Sequence, residues 1–492
     1  MDVLIASLET LTRLDVIAAL MVGSVCGVII GAIPGVGPAV AIAILLPATF
    51  SMEPIVGLTL LLGIYGSSMF GGAIPAILIN TPGTALNALT TYDGYPMTKA
   101  GEGKRALSLA YSASFFGGVF SVICLMLMTP VLAKIAPLFG SREIFLAALL
   151  GLVLVIVTHR GQSIIAAFLV CFGIFINSIG MEPVRYTQRF TFNQTWLSSG
   201  IDLIVVVLGL FALSQAFYLL TQKDMQSKAP KLEGGMFQGL IEVLRNKRVA
   251  VSSSSFGVIM GIIPGVGEFL AQFFSYMLAQ KTSKSPEKFG KGSPEGLIAS
   301  EAANNAVPGA AMIPLLALGI PGEALTAMML AVFYVHNVIP GPQLFSTQPE
   351  FIISLYLALL FLNILSLAFL LLSTNILLQI IRIPTRFLGV GILALSFVGV
   401  YSLRNSVIDC AISAVVGVIA LVMKRLNLPM VPIILGMVLG RIMEIKLRQS
   451  LPRVDHLIDF INRPISFIIF LLILLALSLH VWTLLRTWRN RQ

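Results

Sequence analysis

The sequence predicts an all-α polytopic membrane protein, and three observations support this fold class. Of the 492 residues, 57% are hydrophobic and 11% are charged, whereas about a quarter of an average soluble domain is charged. Several apolar runs are long enough to cross about 30 Å of hydrocarbon as helices, among them residues 106–128, 201–220, 352–372 and 465–485. Short segments of alternating polarity, which would indicate a β-barrel, are absent from the sequence. At roughly 20 residues per segment, we count about 12 to 14 membrane segments, including re-entrant or broken helices.

The positive charge of the chain is concentrated in short loops. The net charge of +10 would suggest nucleic acid in a soluble protein, but in a membrane protein basic loops mark the cytoplasmic side. Two such loops occur in the middle of the chain, at 221–249 and 281–291. We therefore predict that both loops are cytoplasmic, that the surroundings are a lipid bilayer, and that nucleic acid is not a partner.

One short motif occurs twice in the chain. Gly31–Pro38 reads Gly-Ala-Ile-Pro-Gly-Val-Gly-Pro, and Gly261–Glu268 reads Gly-Ile-Ile-Pro-Gly-Val-Gly-Glu, 230 positions later. Proline removes a backbone donor and clashes with the preceding turn, while glycine tolerates most backbone angles, so each copy should break a helix. A broken helix within lipid leaves backbone groups without partners unless protein or a water-filled cavity surrounds them. The pair therefore predicts a buried site.

A second motif follows each copy in the same order. Pro75 and Pro82-Gly83 match Pro314 and Pro321-Gly322 at an offset of 239. Two motifs in one order predict two internal repeats, the plan of many secondary transporters, whose substrate sites lie at the repeat interface. The predicted divisions are a first membrane repeat at 1–220, a cytoplasmic basic linker at 221–249, and a second membrane repeat with C-terminal helices at 250–492. The segment 55–79 is expected to be interrupted at Gly66–Ser68 and at Gly71–Pro75.

The two basic loops flank a single apolar segment, residues 250–280. If both loops are cytoplasmic, this segment must enter the membrane and return, with the Pro264-Gly265 break near its middle. Each arm would have about 14 residues and a length of roughly 21 Å, which fits a re-entrant hairpin. The alternative is one long, kinked span with a basic external loop. By the repeat, residues 16–50 would form the counterpart of this hairpin.

The helix breaks supply the predicted substrate site. Broken helix ends carry unpaired amides and partial charges, so they can bind an anion without a buried charged side chain. The predicted substrate-binding residues are Pro34, Gly35, Gly37, Ser67, Ser68, Asn80, Thr81, Pro82, Gly83, Thr84, Pro264, Gly265, Gly267, Pro321 and Gly322. The alternative is structural, because small residues allow close packing of membrane helices and Ser, Thr and Asn cap helices.

A carboxylate and two amides in the second half predict a cation site. Glu301, Asn304 and Asn305 lie within a segment of small apolar residues, where an ionisable group is costly and indicates function. Oxygen ligands of this kind suit a hard cation such as Na⁺. Glu268, which replaces Pro38 at the equivalent repeat position, is a fourth candidate. The alternative is that Glu301 caps the start of a helix near the aqueous face.

Residues that would indicate an enzyme are not found in the sequence. The four cysteines are scattered through apolar runs, and the four histidines lack metal-ligand spacing, so both sets are interpreted as structural. No Ser-His-Asp grouping or Walker loop is visible. We expect no catalytic residue, and no cofactor other than Na⁺ as a coupling ion.

Together, the motifs resemble those of the large membrane permease subunit (TctA type) of the tripartite tricarboxylate transporter family. The resemblance covers roughly residues 10–470 and departs at Asn193, where glycine is expected. It rests on Gly31–Pro38, Pro75–Gly83, Asp93-Gly-Tyr-Pro96, Arg189-Phe-Thr-Phe192, Glu301-Ala-Ala-Asn-Asn305, Gly319-Ile-Pro-Gly322, Gly341-Pro342, Leu439-Gly440 with Glu444, and Leu447-Arg-Gln-Ser450.

The resemblance implies a multi-pass secondary transporter of the bacterial cytoplasmic (inner) membrane. It implies import of citrate-like tricarboxylates or related carboxylates, driven by a Na⁺ or proton gradient. It further implies two partners, a small four-helix membrane subunit and a periplasmic solute-binding protein. Two alternatives stay open: an ion or solute channel, and a carboxylate permease that works without a binding protein.

Overall fold

The computed structural model of the protein is almost entirely helical. It describes residues 2–33, 36–83, 87–159, 161–183, 186–222, 238–265, 267–380, 385–454 and 456–489. Within these ranges nine helices are long and apolar enough to cross a membrane, and three shorter apolar helices accompany them. The apolar runs at 106–128, 201–220, 352–372 and 465–485 coincide with four of the nine. The prediction of an all-α polytopic membrane protein is confirmed.

The first half of the chain holds helices α1 to α11 and one small hairpin. The helices are α1 (Asp2–Thr12), α2 (Leu14–Gly31), α3 (Pro38–Thr49), α4 (Pro54–Ile79), α5 (Thr90–Lys99), α6 (Gly103–Ile135), α7 (Ser141–Thr158), α8 (Ser163–Ser178), α9 (Thr195–Ser198), α10 (Leu203–Val207) and α11 (Ser214–Thr221). A π-helical stretch, Leu208–Leu213, joins α10 and α11 into one span. Two short strands, β1 (Gly180–Met181) and β2 (Gln188–Arg189), pair antiparallel.

The second half holds helices α12 to α22. They are α12 (Gln238–Arg245), α13 (Lys247–Ile262), α14 (Gly267–Thr282), α15 (Pro294–Leu318), α16 (Ala324–Val335), α17 (Pro342–Thr347), α18 (Pro349–Ile380), α19 (Thr385–Arg404), α20 (Val407–Arg425), α21 (Val431–Ser450) and α22 (Pro464–Arg489). The later part of the predicted linker 221–249 is therefore helical, while residues 223–237 lie outside the described ranges.

Helices α2 and α3 form a hairpin whose two ends lie at the same end of the bundle. Arg13, which precedes α2, pairs with Glu53, which precedes α4, at 2.7 Å, so these two helices start together. α3 returns to that end, where its last residue, Thr49, packs against Gly57 in α4. The predicted counterpart hairpin at 16–50 thus corresponds to α2 and α3.

Helices α13 and α14 form a second hairpin, as predicted for residues 250–280. α13 packs alongside both α14 and α15. α14 runs antiparallel to α15, since Ala271 lies with Ala303 and Val307, while Ser275 Oγ, one turn later, donates to the Ala299 carbonyl at 2.9 Å. The chain therefore enters along α13, turns at the Pro-Gly break, and returns along α14.

The contacts of the two hairpins match residue by residue. In each half, two glycines on the first arm pack directly on the backbone of the following long helix, and the partners keep the offsets of 230 and 239 seen in the motifs. The matched pairs are Gly27–Ile64 with Gly257–Ala303, and Gly31–Ser68 with Gly261–Val307. Both pairs also show that the first arm runs parallel to the long helix. These contacts favour a duplication, which stays a prediction.

Three basic segments gather at the other end of the bundle, which we call the basic end. Arg105 at the start of α6 pairs with Glu242 of α12 at 2.7 Å. α4 finishes at this end, where Thr98 Oγ1 donates to the Ile77 carbonyl at 2.8 Å. The basic end comprises residues 99–105, 238–248 and 281–293. The second hairpin therefore starts from the basic end, whereas the first starts from the opposite end.

Helix α4 is continuous from Pro54 to Ile79, so the predicted interruptions at Gly66–Ser68 and Gly71–Pro75 are wrong. The glycines here allow backbones to approach, and Gly71 packs on the carbonyl group of Val28 in α2. The turn before Pro75 is supported from outside, because the Gly83 N–H donates to the Gly72 carbonyl at 3.2 Å. Neighbouring segments that accept or supply hydrogen bonds let membrane helices tolerate proline.

Candidate substrate and ion site at the helix breaks

The first helix break is closed by the second Pro-Gly motif of its own half. The carbonyl oxygen of Gly31, at the end of α2, lies so close to Gly83 that a methyl group on Gly83 would overlap it. Gly37 is the N-cap residue of α3, and Pro82 lies beside Gly83, half-buried. Three predicted site residues, Pro34, Gly35 and Thr84, lie outside the described residues.

The second helix break is closed in the same way. The Gly265 N–H donates to the Gly322 carbonyl at 2.7 Å, and a methyl group on Gly322 would lie 3.1 Å from the Gly261 carbonyl oxygen. Gly265 and Gly267 have φ angles of +79° and +67°, which glycine adopts without steric cost. Pro264 and Pro321 lie in the two segments that meet here.

The long helix of each half ends in the same cap. Asn80 and Gly319 occupy equivalent positions and are both left-handed, with φ angles of 56° and 70°. The next N–H groups, of Thr81 and Ile320, donate to the carbonyls of Pro75 and Pro314, both at 3.3 Å. Asn80 and Thr81 thus have the capping role that was the alternative to substrate binding.

Ser67 and Ser68 are fully buried, but their hydroxyl groups do not meet at the first break. Ser67 Oγ bonds Ser366 Oγ of α18 at 2.6 Å. Ser68 Oγ donates to the Tyr65 carbonyl at 2.9 Å within α4. The structure therefore assigns these two predicted site residues to helix packing.

Glu301 lies at the centre of a buried hydrogen-bond cluster. Its carboxylate accepts from Asn87 Nδ2 at 3.3 Å, from Ser114 Oγ at 2.8 Å and from Asn305 Nδ2 at 3.4 Å. Thr90 Oγ1 is the fourth donor. Glu301 is 0% exposed and lies well inside α15, so the alternative that it caps a helix start is wrong. The cluster joins α5 and α6 of the first half to α15 of the second.

Four donors satisfy the Glu301 carboxylate. A carboxylate offers about four lone-pair positions, so a cation could bind Glu301 only by displacing one of these protein donors. Asn305 is also engaged, since its Nδ2 donates to Ser114 Oγ at 2.8 Å. In this arrangement Glu301 and Asn305 hold helices together.

Asn304 and Glu268 differ from Glu301 and Asn305, because they carry buried polar atoms without partners among the described residues. Asn304 is 0% exposed, and neither its Oδ1 nor its Nδ2 has a hydrogen-bond partner among the described residues. Glu268 is 3% exposed, and its Oε1 also lacks one within that part of the chain. Such atoms cost about 1–3 kcal/mol each, and native structures contain few of them. Both residues are therefore suited to bind a group from outside the chain.

Glu268 and Asn304 lie on two helices, α14 and α15, that pack against each other. Ala271 of α14 clusters with Ala303 of α15, Glu268 is one turn before Ala271, and Asn304 directly follows Ala303. Glu268 is also in the first turn of α14, next to the second break. The structure thus divides the four predicted cation ligands into a bonded pair, Glu301 with Asn305, and a pair with free polar atoms.

Glu323 connects the two halves at the second break. It is the N-cap residue of α16, and its carboxylate accepts a hydrogen bond from the Tyr65 hydroxyl of α4. Sequence reasoning missed Tyr65, Ser114 and Thr90. Tyr65 and Ser114 stand in apolar runs without a distinguishing pattern, whereas Thr90 belongs to the polar stretch after the first break, which was a usable signal.

Asp93 fixes the loop before α15 to α5 at the basic end. Its Oδ1 accepts the backbone N–H groups of Gly290, Gly292 and Ser293 at 2.9, 2.9 and 2.7 Å. Its Oδ2 accepts from the Tyr276 hydroxyl at 2.7 Å. Burial raises the pKa of the Asp93 carboxyl, whereas the hydrogen bonds from these donors lower it because they stabilise the ionised form. The Asp93-Gly-Tyr-Pro96 motif therefore has a structural role between the halves.

Comparisons with known proteins point to one family. Residues 17–435 match the tripartite tricarboxylate transporter TctA family. A protein of Agrobacterium vitis, described as an uncharacterized 52.8 kDa protein in the TAR-I ttuC' 3' region, is 33% identical over 451 residues, which are 90% of this chain and 89% of that protein. An uncharacterized A. vitis protein in the TAR-II ttuC' 3' region is 34% identical over 216 residues, 43% of this chain and 87% of its own.

One solved structure also aligns with the chain. The transmembrane domain of a cyanobacterial bicarbonate transporter, BicA, aligns with 87% of this chain and 98% of its own, at 14% identity and a TM-score of 0.17. That score is too low to indicate a shared fold.

Proposed function

Because the chain belongs to the tripartite tricarboxylate transporter TctA family, we propose that it is the membrane permease of a secondary active transporter for citrate-like tricarboxylates or related carboxylates. The protein is a multi-pass membrane protein of a transporter family. The proposed location is the bacterial cytoplasmic membrane, with the basic end in the cytoplasm because basic loops mark that side.

The observation that carries the proposal is the pair of helix breaks that start from opposite ends of the bundle. Each break brings backbone amides and carbonyls of a Pro-Gly segment against a second Pro-Gly segment. Broken helices of this kind bind anionic substrates and coupling ions in secondary transporters. A carboxylate held between the breaks can be reached from the two sides in turn.

Coupling to Na⁺ or to protons is proposed to involve Glu268 and Asn304. Both have buried oxygen atoms to which no described residue donates, and such oxygens suit a hard cation. Glu301 and Asn305 then act as the support that positions α15, on which Asn304 lies. The family name indicates three components, and the proposed partners are a small four-helix membrane subunit and a periplasmic solute-binding protein.

Uptake of radiolabelled citrate into proteoliposomes tests the proposal. The membrane subunits are reconstituted with and without the binding protein, under an imposed Na⁺ gradient, an imposed proton gradient, or neither. We expect uptake that needs the binding protein and one gradient, and a loss of at least about tenfold in Glu268→Gln, equivalent to about 1.4 kcal/mol. Glu53→Gln, an exposed carboxylate paired with Arg13, is the matched control.

Each alternative predicts a different result. Uptake that ignores every imposed gradient and dissipates with the citrate gradient alone would indicate a channel. Uptake at the same rate without the binding protein would indicate a permease that works alone. A Glu268→Gln variant with unchanged gradient dependence would remove Glu268 from the coupling site.

A further inference from the structure

A cluster rich in hydrogen-bond donors lies between α11 and α20, away from the helix breaks. Lys424 of α20 donates to Gln215 Oε1 of α11, and its ammonium group lies 4.4 Å from the centre of the Tyr218 ring. Arg425 donates to Thr221 Oγ1 at 3.3 Å. The cluster thus brings two adjacent basic side chains to the end of one span.

Two donor groups in this cluster are incompletely paired within the described residues: Lys424 has only uncharged partners there, and Gln215 Nε2 has none. Lys424 is half-buried and forms no ion pair with any carboxylate of the described residues. Gln215 is 2% exposed, and its Nε2 has no hydrogen-bond partner within the same set. A buried donor and a partly desolvated cation are both unfavourable without an acceptor. An anion with several acceptor oxygens would supply an acceptor to both groups.

The cluster lies at the basic end and faces the membrane. α20 runs parallel to the span 203–221, since Gly209 packs on Ser413 and Gly417 on Leu213. Gly399, near the end of α19, packs on Pro47 of α3, close to the end opposite to the basic end, so α20, which starts directly after α19, runs from there toward the basic end. Beside Arg425, on the face of α20 that points away from α11, one stripe is apolar and about half exposed; it consists of Val418 (53%), Val422 (51%) and Leu426 (62%). Such a stripe suits acyl chains.

We propose that Lys424, Gln215 and Arg425 bind the phosphate group of an anionic phospholipid in the leaflet at the basic end. Lys424 supplies the central charge, the Gln215 amide supplies the buried donor, and Arg425 supplies a second charge at the rim. The Tyr218 ring holds the lysine stem in place. Basic pockets between membrane helices at this depth are suited to lipid headgroups.

Native mass spectrometry of the purified full-length protein tests the site. Delipidated protein is titrated with phosphatidylglycerol, with phosphatidylcholine, or with inorganic phosphate as competitor. We expect phosphatidylglycerol affinity to fall roughly fivefold in Lys424→Gln, the effect of losing one near-surface lysine, with phosphatidylcholine unchanged. Lys281→Gln, an exposed lysine at the same end, is the charge-matched control and should keep full affinity.

Two further variants keep the proposal testable if Lys424→Gln folds poorly. Gln215→Glu keeps an acceptor for Lys424 and replaces the Nε2 donor by an oxygen, so we expect a melting temperature that does not fall and weaker phosphatidylglycerol binding. Asp224→Asn should leave lipid binding unchanged; if it destabilises the protein as Lys424→Gln does, the counterion is Asp224 and the proposal is overturned. Inorganic phosphate that binds as tightly as phosphatidylglycerol would identify a soluble anion as the ligand and overturn the assignment to a lipid. Equal retention of both lipids by wild type and Lys424→Gln would also overturn it.

Discussion

At the scale of residues, the neighbouring asparagines Asn304 and Asn305 have different hydrogen-bonding surroundings. Asn305 donates to Ser114 and to the Glu301 carboxylate, while the side chain of Asn304 has no partner among the described residues. On a helix, consecutive residues point about 100° apart, so one amide enters the cluster between α5, α6 and α15 and the other does not. The two residues should therefore respond differently to the same substitution.

We predict that Asn304→Leu and Asn305→Leu separate transport from stability. Asn304→Leu removes two buried polar atoms that have no partner in the described part of the chain, so its melting temperature should stay the same or rise, while gradient-driven citrate uptake falls at least about tenfold. Asn305→Leu removes the donor to Ser114 Oγ and one of the four donors to the Glu301 carboxylate, and should be destabilised by about 1–3 kcal/mol. Thermal unfolding in detergent and proteoliposome uptake measure the two effects. Normal uptake by Asn304→Leu would exclude it from the coupling site.

Sequence alone identified these residues but not their partners. An ionisable group and two amides in an apolar segment are unusual enough to be noticed, and all four predicted cation ligands are buried. Which of them is satisfied depends on Thr90, Ser114 and Asn87, which are between 187 and 214 positions from Glu301. No local pattern encodes contacts at that separation.

At the scale of elements, the helices of each half come into direct backbone contact at glycine residues. A side chain at Gly31 would overlap the Ser68 carbonyl, and one at Gly71 would overlap the Val28 carbonyl. Small residues at such positions allow the backbone-to-backbone contact on which membrane helix association depends. Gly31, next to the first break, and Gly71, inside the continuous helix α4, therefore both hold the broken arm against its neighbour.

We predict that Gly31→Ala destabilises the protein while Gly37→Ala does not. The methyl group of Gly31→Ala has no space beside Ser68, and forced overpacking costs about 1–3 kcal/mol. Gly37 has no atom within 4 Å of the equivalent position and a φ angle of −80°, which alanine adopts readily. Melting temperatures of the two variants provide the comparison. Equal destabilisation would mean that the first break is sensitive for another reason, such as backbone flexibility.

The sequence predicted an element correctly where the charge of the loops and the length of the apolar segment agreed. It failed where glycine could mean either a helix break or close packing. The hairpin α13–α14 followed from two basic loops around one short apolar segment. The break predicted inside α4 did not occur, because Gly66–Ser68 and Gly71–Pro75 are continuous helix with neighbours at close range. Glycine and proline mark both kinks and close packing, and only the surrounding backbone decides between them.

For the whole molecule, the two halves run in opposite directions. α2 and α4 start from one end of the bundle, whereas α13 and α15 start from the basic end. The glycine contacts of α2 with α4 nevertheless match those of α13 with α15 at constant sequence offsets. Inverted repeats give a transporter two nearly equivalent halves, one facing each side, and the duplication predicted here would be of that kind. The order of the motifs in the sequence predicts the duplication. The opposite orientation of the two halves can be seen only from the contacts between helices.

We predict that both flanks of the α13–α14 hairpin lie on one side of the membrane. The four native cysteines are free and are replaced, and single cysteines are then introduced by Asn246→Cys, Ser283→Cys and Ser51→Cys. A membrane-impermeant maleimide should label the first two only in inside-out vesicles and the third only in right-side-out vesicles. Labelling of positions 246 and 283 from opposite sides would instead support one long span.

The interaction of Asp93 with the loop before α15 also affects how the protein is made. Asp93 and Ser293 are 200 positions apart, and at roughly 5 to 20 residues per second a ribosome needs about 10 to 40 seconds to synthesise that stretch. During this interval Asp93 has none of the backbone donors that it later accepts from, so α5 cannot reach its final packing. The first half therefore reaches its final packing only after the second half has been synthesised. The two halves complete their folding together rather than one after the other.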